Sequence, residues 1–122
     1  MKKVLVAEDE DFVRALVAAT IGDDARYSIL EAHDGGEALQ IARREKPDLV
    51  LLAIMMPVLD GYSVCRQLKA DPDTRGITII MLSALAQEFN RRAAVEAGAD
   101  GYLVKPFSPT ELINKVEETL HL

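Results

Sequence analysis

The stretch "PDLVLLAIMMPVLDGY", residues 47–62, holds an unbroken apolar run from Leu49 to Met56. Pro47-Asp48 leads into the run, and Pro57 with the Asp60-Gly61 pair ends it. A short apolar run between turn signals reads as a strand buried on both faces, which is what a parallel sheet covered by helices requires. Open sheets of that kind gather their ligands at the carboxyl ends of the strands. At that end of this strand stands Ala53, a methyl group where a chemically active polar group is expected.

Outward from this strand, strand-like and helix-like segments alternate along the chain. "KVLVA" and "YSILEA" read as the first two strands, "ITIIMLSA" as the fourth and "GYLVK" as the fifth. Between them lie helical patterns. In "DFVRALVAATIG", Phe12, Leu16 and Ala19 or Thr20 recur at helical spacing, with Gly22 placed to close the helix. Asp34 and Glu37 have capping-box spacing, and Asp60 is placed to cap "GYSVCRQLKA". Gly98 closes "EFNRRAAVEAG", and Ser108-Pro109-Thr110-Glu111 opens a last helix with a stripe of Leu112, Val116 and Leu120. Five strands alternating with five helices imply right-handed crossovers and a doubly wound parallel sheet with helices on both faces.

Composition narrows the function classes. At 122 residues the chain reads as one domain, 1–122, with no effector domain. No apolar run is long enough to span a bilayer, and acidic residues interrupt the N-terminal "MKKVLVAEDE" too early for a signal peptide. A single cysteine, Cys65, allows no internal disulfide and reads as a small packing residue, consistent with a cytoplasmic setting. A net charge of −6 and 5% aromatic content argue against direct nucleic-acid binding. Neither a Gly-x-Gly-x-x-Gly turn nor a P-loop follows the first strand, so a nucleotide-binding enzyme or a flavodoxin-type electron carrier lacks support.

The strand ends carry the chemistry. The first strand ends in Glu8-Asp9, the third at Ala53, the fourth at Ser83 and the fifth at Lys105-Pro106. Two adjacent carboxylates suit Mg²⁺, which takes oxygen ligands and keeps several waters. A hydroxyl and an ammonium suit the oxygens of a phosphoryl group. Each residue taken singly has a plainer role: the acidic run as a solvated loop, Ser83 as a strand-end turn, Lys105 as a loop cation, Tyr102 as core. His33, His121 and the arginine pairs 43–44 and 91–92 read as solvated positions outside the constellation, the second pair also near a potential partner surface.

Glu8-Asp9, "DLVLLAIMMPVLDG", "SA" at 83–84 and "GADGYLVKPF" at 98–107 together resemble the receiver domain of bacterial two-component response regulators, the chemotaxis receivers included. The resemblance spans essentially the whole chain and implies a flavodoxin-like strand order 2-1-3-4-5. It implies that position 53 is where an aspartate takes a phosphoryl group from a histidine kinase or phosphotransfer protein, and Ala53 departs from that pattern. It also implies Asp9 as a direct Mg²⁺ ligand, Glu8 acting mainly through water, and the Met55 backbone carbonyl as a further ligand. Ser83 and Lys105 are the phosphoryl contacts, Tyr102 is the switch aromatic that moves inward with Ser83, and Lys105-Pro106 is a cis peptide. The face formed by the fourth helix, fifth strand and last helix would meet a downstream protein or a second copy. Such a chain is a signalling module and not an enzyme. With Ala53 it cannot be phosphorylated there, and its Mg²⁺ site is weakened. The intact remainder favours an introduced substitution over the alternative, a natural pseudo-receiver acting through protein contacts alone. Met55 and Leu85, two positions after the phosphoacceptor and the hydroxyl, are apolar and imply slow hydrolysis of any phosphoryl group restored to the site.

Overall fold

A computed structural model describes residues 1–85 and 87–122. It contains β1 (Lys2–Ala7), α1 (Asp11–Gly22), β2 (Tyr27–Ala32), α2 (Gly35–Glu45), β3 (Leu49–Ala53), α3 (Gly61–Ala70), β4 (Thr78–Ser83), α4 (Glu88–Glu96), β5 (Gly101–Val104) and α5 (Pro109–Leu120). The strands form one parallel sheet in the order β2-β1-β3-β4-β5, the doubly wound, flavodoxin-like arrangement expected.

Alternation along the strands explains why the central runs are apolar throughout. Leu5, Val50, Leu52, Ile79 and Met81 join one core with Ala38 and Ala42 of α2, Val64 and Leu68 of α3 and Ala94 of α4. Val4, Val6, Leu49, Leu51, Ile80 and Leu82 join the other, with Val17 and Ile21 of α1 and Leu112 and Val116 of α5. Because side chains point to opposite faces in turn, a strand covered on both sides must be apolar at every position. Cys65 is a buried member of the first core, as its packing role requires.

The helix ends follow their capping residues. Ser108 and Glu111 form a complete capping box on α5, and Asp60 accepts the Ser63 N–H at 2.9 Å to start α3. Asp34 accepts the Glu37 N–H at 2.8 Å, but the return half differs, since the Glu37 carboxylate takes the His33 N–H, also at 2.8 Å. Gly98 follows the end of α4 at φ 99°, a left-handed conformation that favours glycine.

Two expectations for α1 are corrected. Its buried stripe is Val17 and Ile21 with Val13 packed beside them, whereas Phe12 is 79% and Leu16 46% exposed. Both sets repeat at helical spacing, and the direction in which the helix crosses the sheet selects between them. Gly22 is the last helical residue, and Asp23, in right-handed helical geometry, continues the end: its N–H donates to Ala19 O and the Asp24 N–H donates to Ile21 O, each at 3.1 Å.

Candidate functional site

The sheet is stitched together beyond its strand ends. Glu8 N–H donates to Ala32 O at 3.1 Å, Ile54 N–H to Leu82 O at 3.2 Å and Lys105 N–H to Ser83 O at 2.7 Å. These bonds bring Glu8, Ala53, Ser83 and Lys105, drawn from four strands, to one edge. Gly61 fixes the end of β3 from the far side: its N–H donates to Ile54 O at 2.7 Å, and a Cβ there would lie 2.3 Å from Ala53 O. Ala53 itself is 1% exposed.

The acidic pair divides. Glu8 is fully buried, and one carboxylate oxygen is ion-paired with the Lys105 ammonium. Its other oxygen accepts the Glu10 N–H at 3.2 Å. Burial pushes the Glu8 carboxyl above its ordinary value, although the Lys105 ammonium and the Glu10 N–H pull the other way. Lys105 also lies 3.6 Å from the Glu10 carboxylate. Asp9, in contrast, is exposed and lines an open groove of about 610 Å³ with Met55, Pro57, Tyr62 and Leu85.

Ser83 and Tyr102 meet on one residue, Leu85. The Ser83 hydroxyl oxygen accepts the Leu85 N–H at 3.0 Å, while the Tyr102 hydroxyl donates to Leu85 O at 2.6 Å. Tyr102 is 9% exposed and packs in the core on the α2–α4 side of the sheet, so its ring is inward. This link through Leu85 is invisible to a reading of side chains, because only its backbone takes part. Sequence reasoning also missed the close approach of Gly61, whose only signal was the turn pair Asp60-Gly61. It missed as well an exposed apolar groove of about 370 Å³ beside Lys105, formed by Phe12, Leu16, Pro106 and Phe107.

Lys105-Pro106 is cis, as expected. His33 follows β2 at the same edge but its imidazole is taken up by Glu37, with Nδ1 2.9 Å from the carboxylate, while His121 lies at the end of α5; the arginines at 43–44 and 91–92 are exposed.

Among the described residues no three His, Cys, Asp or Glu side chains gather as a metal cage. The donor set fits Mg²⁺ in its mostly hydrated form, since Mg²⁺ binds through one or two carboxylates and retains water. Asp9 and Met55 border the same groove, and Glu8 stands behind them, already engaged by Lys105.

The chain belongs to the response regulator receiver domains, whose family profile matches residues 4–117. It is thus a receiver of two-component signalling, a class of domain that works with histidine kinases or phosphotransfer proteins. It is similar to a "Probable transcriptional regulator ycf27" of Porphyridium aerugineum, 44% identical over 98% of this chain and 48% of the relative. The chain thus spans about half the length of the curated relatives it matches. Among solved structures it resembles the chemotaxis response regulator CheY4 of Vibrio cholerae, with TM-score 0.92, 30% identity and 98% of each chain covered. It also resembles the receiver domain of the sensor histidine kinase PA1611 of Pseudomonas aeruginosa, with TM-score 0.89 and 30% identity over 99% of this chain and 98% of that one. That structure has a magnesium ion coordinated in its active-site cleft. No helix among the described residues is long and apolar enough to cross a membrane.

Proposed function

We propose that this chain is a phosphorelay receiver held in its unphosphorylated state by Ala53, and that the remainder of its site is competent. The carrying observation is Ala53 itself, buried at the end of β3 and flanked in the sheet by the strand that leads into Glu8 and the strand that ends in Ser83. With a carboxylate at position 53, one of its oxygens attacks phosphorus, the bond from phosphorus to the donor's imidazole nitrogen breaks, and the histidine leaves. Asp9 and the Met55 carbonyl would hold Mg²⁺, with Glu8 acting through water, and the ion would supply neutralisation of phosphoryl charge. Lys105 exchanges its contact with Glu8 for one with a phosphoryl oxygen, and the Ser83 hydroxyl donates to another. A methyl offers no nucleophile, and Mg²⁺ binds more weakly without the third carboxylate. The chain is a signal acceptor and not an enzyme.

The completeness of the surroundings favours an introduced substitution over a natural pseudo-receiver. The exposed groove of Phe12, Leu16 and Phe107 beside Lys105 suits the apolar face of a kinase or phosphotransfer partner. Output passes through α4, β5 and α5 to a downstream protein or a second copy. Met55 and Leu85 border the groove without a polar group to orient water, which implies a long-lived phosphoryl group.

The test is transfer from histidine-phosphorylated kinase domains to this chain and to Ala53→Asp. The expected result is Mg²⁺-dependent labelling of Ala53→Asp alone, persisting for minutes or longer. Labelling of the Ala53 chain, or of neither across a broad set of donors, contradicts the reading.

A further inference from the structure

Tyr102 is inward in a chain that has no phosphoacceptor at position 53, so something other than a phosphoryl group holds it. Its hydroxyl bond to Leu85 O is one contact. Besides its packing in the core, the ring is met by Arg91 of α4, whose guanidinium carbon lies 5.1 Å from the centre of the Tyr102 ring. A cation at this distance over an aromatic face is attracted by the ring's quadrupole. Arg91 is exposed and, among the described residues, makes no ion pair, so no carboxylate draws it from the ring. Its neighbour Arg92 makes no comparable ring contact among the described residues.

We propose that Arg91 is a positioning residue that latches Tyr102 inward against α4, so that the α4–β5 face is presented in this arrangement without phosphorylation. This rests on the receiver reading for its consequence, though not for the latch. An outward ring would lose both the Leu85 bond and the guanidinium contact. Removing one of them shifts the inward–outward equilibrium and leaves the fold in place.

The experiment uses the chain labelled with 3-fluorotyrosine, whose Tyr102 fluorine resonance is assigned with Tyr102→Phe. A soluble nitroxide reports exposure by broadening that resonance. Arg91→Ala is expected to raise the outward population two- to five-fold, the range set by an exposed cation–π contact. Arg91→Lys should recover part of the inward population, and Arg92→Ala should match the parent. A Tyr102 resonance equally protected in the parent and Arg91→Ala overturns the latch, as does equal exposure in Arg91→Lys and Arg91→Ala. Phosphodonor labelling of Ala53→Asp fails independently if the receiver reading is wrong, so the two failures are separable.

Discussion

The Lys105 ammonium, at the end of β5, is ion-paired with the fully buried carboxylate of Glu8 at the end of β1, joining residues 97 apart in sequence. Burial and pairing oppose one another here. Taking a carboxylate out of water is costly, and a single ammonium with one N–H from Glu10 offsets that cost. Lys105→Met removes the offset and leaves Glu8 stranded. We expect a loss of about 3 kcal/mol in urea unfolding, with the double variant Glu8→Gln/Lys105→Met recovering most of it. Additive losses in the double variant would mean that the two side chains act separately.

Placing a carboxylate at position 53 raises the same difficulty. Ala53 is 1% exposed, and a charge placed there must be desolvated near Glu8 without Mg²⁺. In metal-free buffer Ala53→Asp is expected to be less stable than this chain by about 2 kcal/mol, a fall in Tm of roughly 8 °C. Added Mg²⁺ should narrow the gap. An equal or higher Tm for Ala53→Asp without metal would contradict the prediction.

Gly61 holds the end of β3 in position. A Cβ at Gly61 would lie 2.3 Å from Ala53 O and 2.8 Å from Ile54 Cα, and backbone cannot yield as a flexible side chain does. Gly61→Ala is expected to cost about 2–3 kcal/mol and to reduce phosphorylation of the Ala53→Asp background. At Gly76 an added Cβ meets nothing within 4 Å, so Gly76→Ala should be neutral or slightly stabilising. Equal effects at the two glycines in urea unfolding would refute the packing argument.

Cys65 is buried against the sheet, and burial pushes its thiol up to about 11 from an ordinary 9.0. Its folded value is raised, so its contribution to stability is fully present below about 9 and lost as pH rises through about 11. At pH 8 the native chain should resist iodoacetamide for hours and react readily in urea. Fast modification of the native chain would show that the thiol is accessible.

Much of this was legible in the sequence because the signals were local. The run from Leu49 to Met56 announces a doubly covered strand, and the Ser108 and Asp60 caps mark helix starts within a residue. The strand-end residues could be named because parallel topology sends every carboxyl end to the same edge. What escaped was relational. Phe12-Leu16 and Val13-Val17-Ile21 have the same period, and only packing against β1 and α5 decides which set is buried. Glu8 and Asp9 are adjacent letters, yet where the chain leaves β1 one is buried beside Lys105 and the other opens to the groove. The meeting of Ser83 and Tyr102 on Leu85 depends on backbone atoms that every residue has.

The most direct test of the central claim is intact mass after incubation with phosphoramidate and Mg²⁺, on this chain and Ala53→Asp side by side. The account predicts one added phosphoryl group on Ala53→Asp and none on the Ala53 chain. If neither gains mass, the surrounding site is not competent, and a phosphorylation-independent interaction module takes the receiver's place.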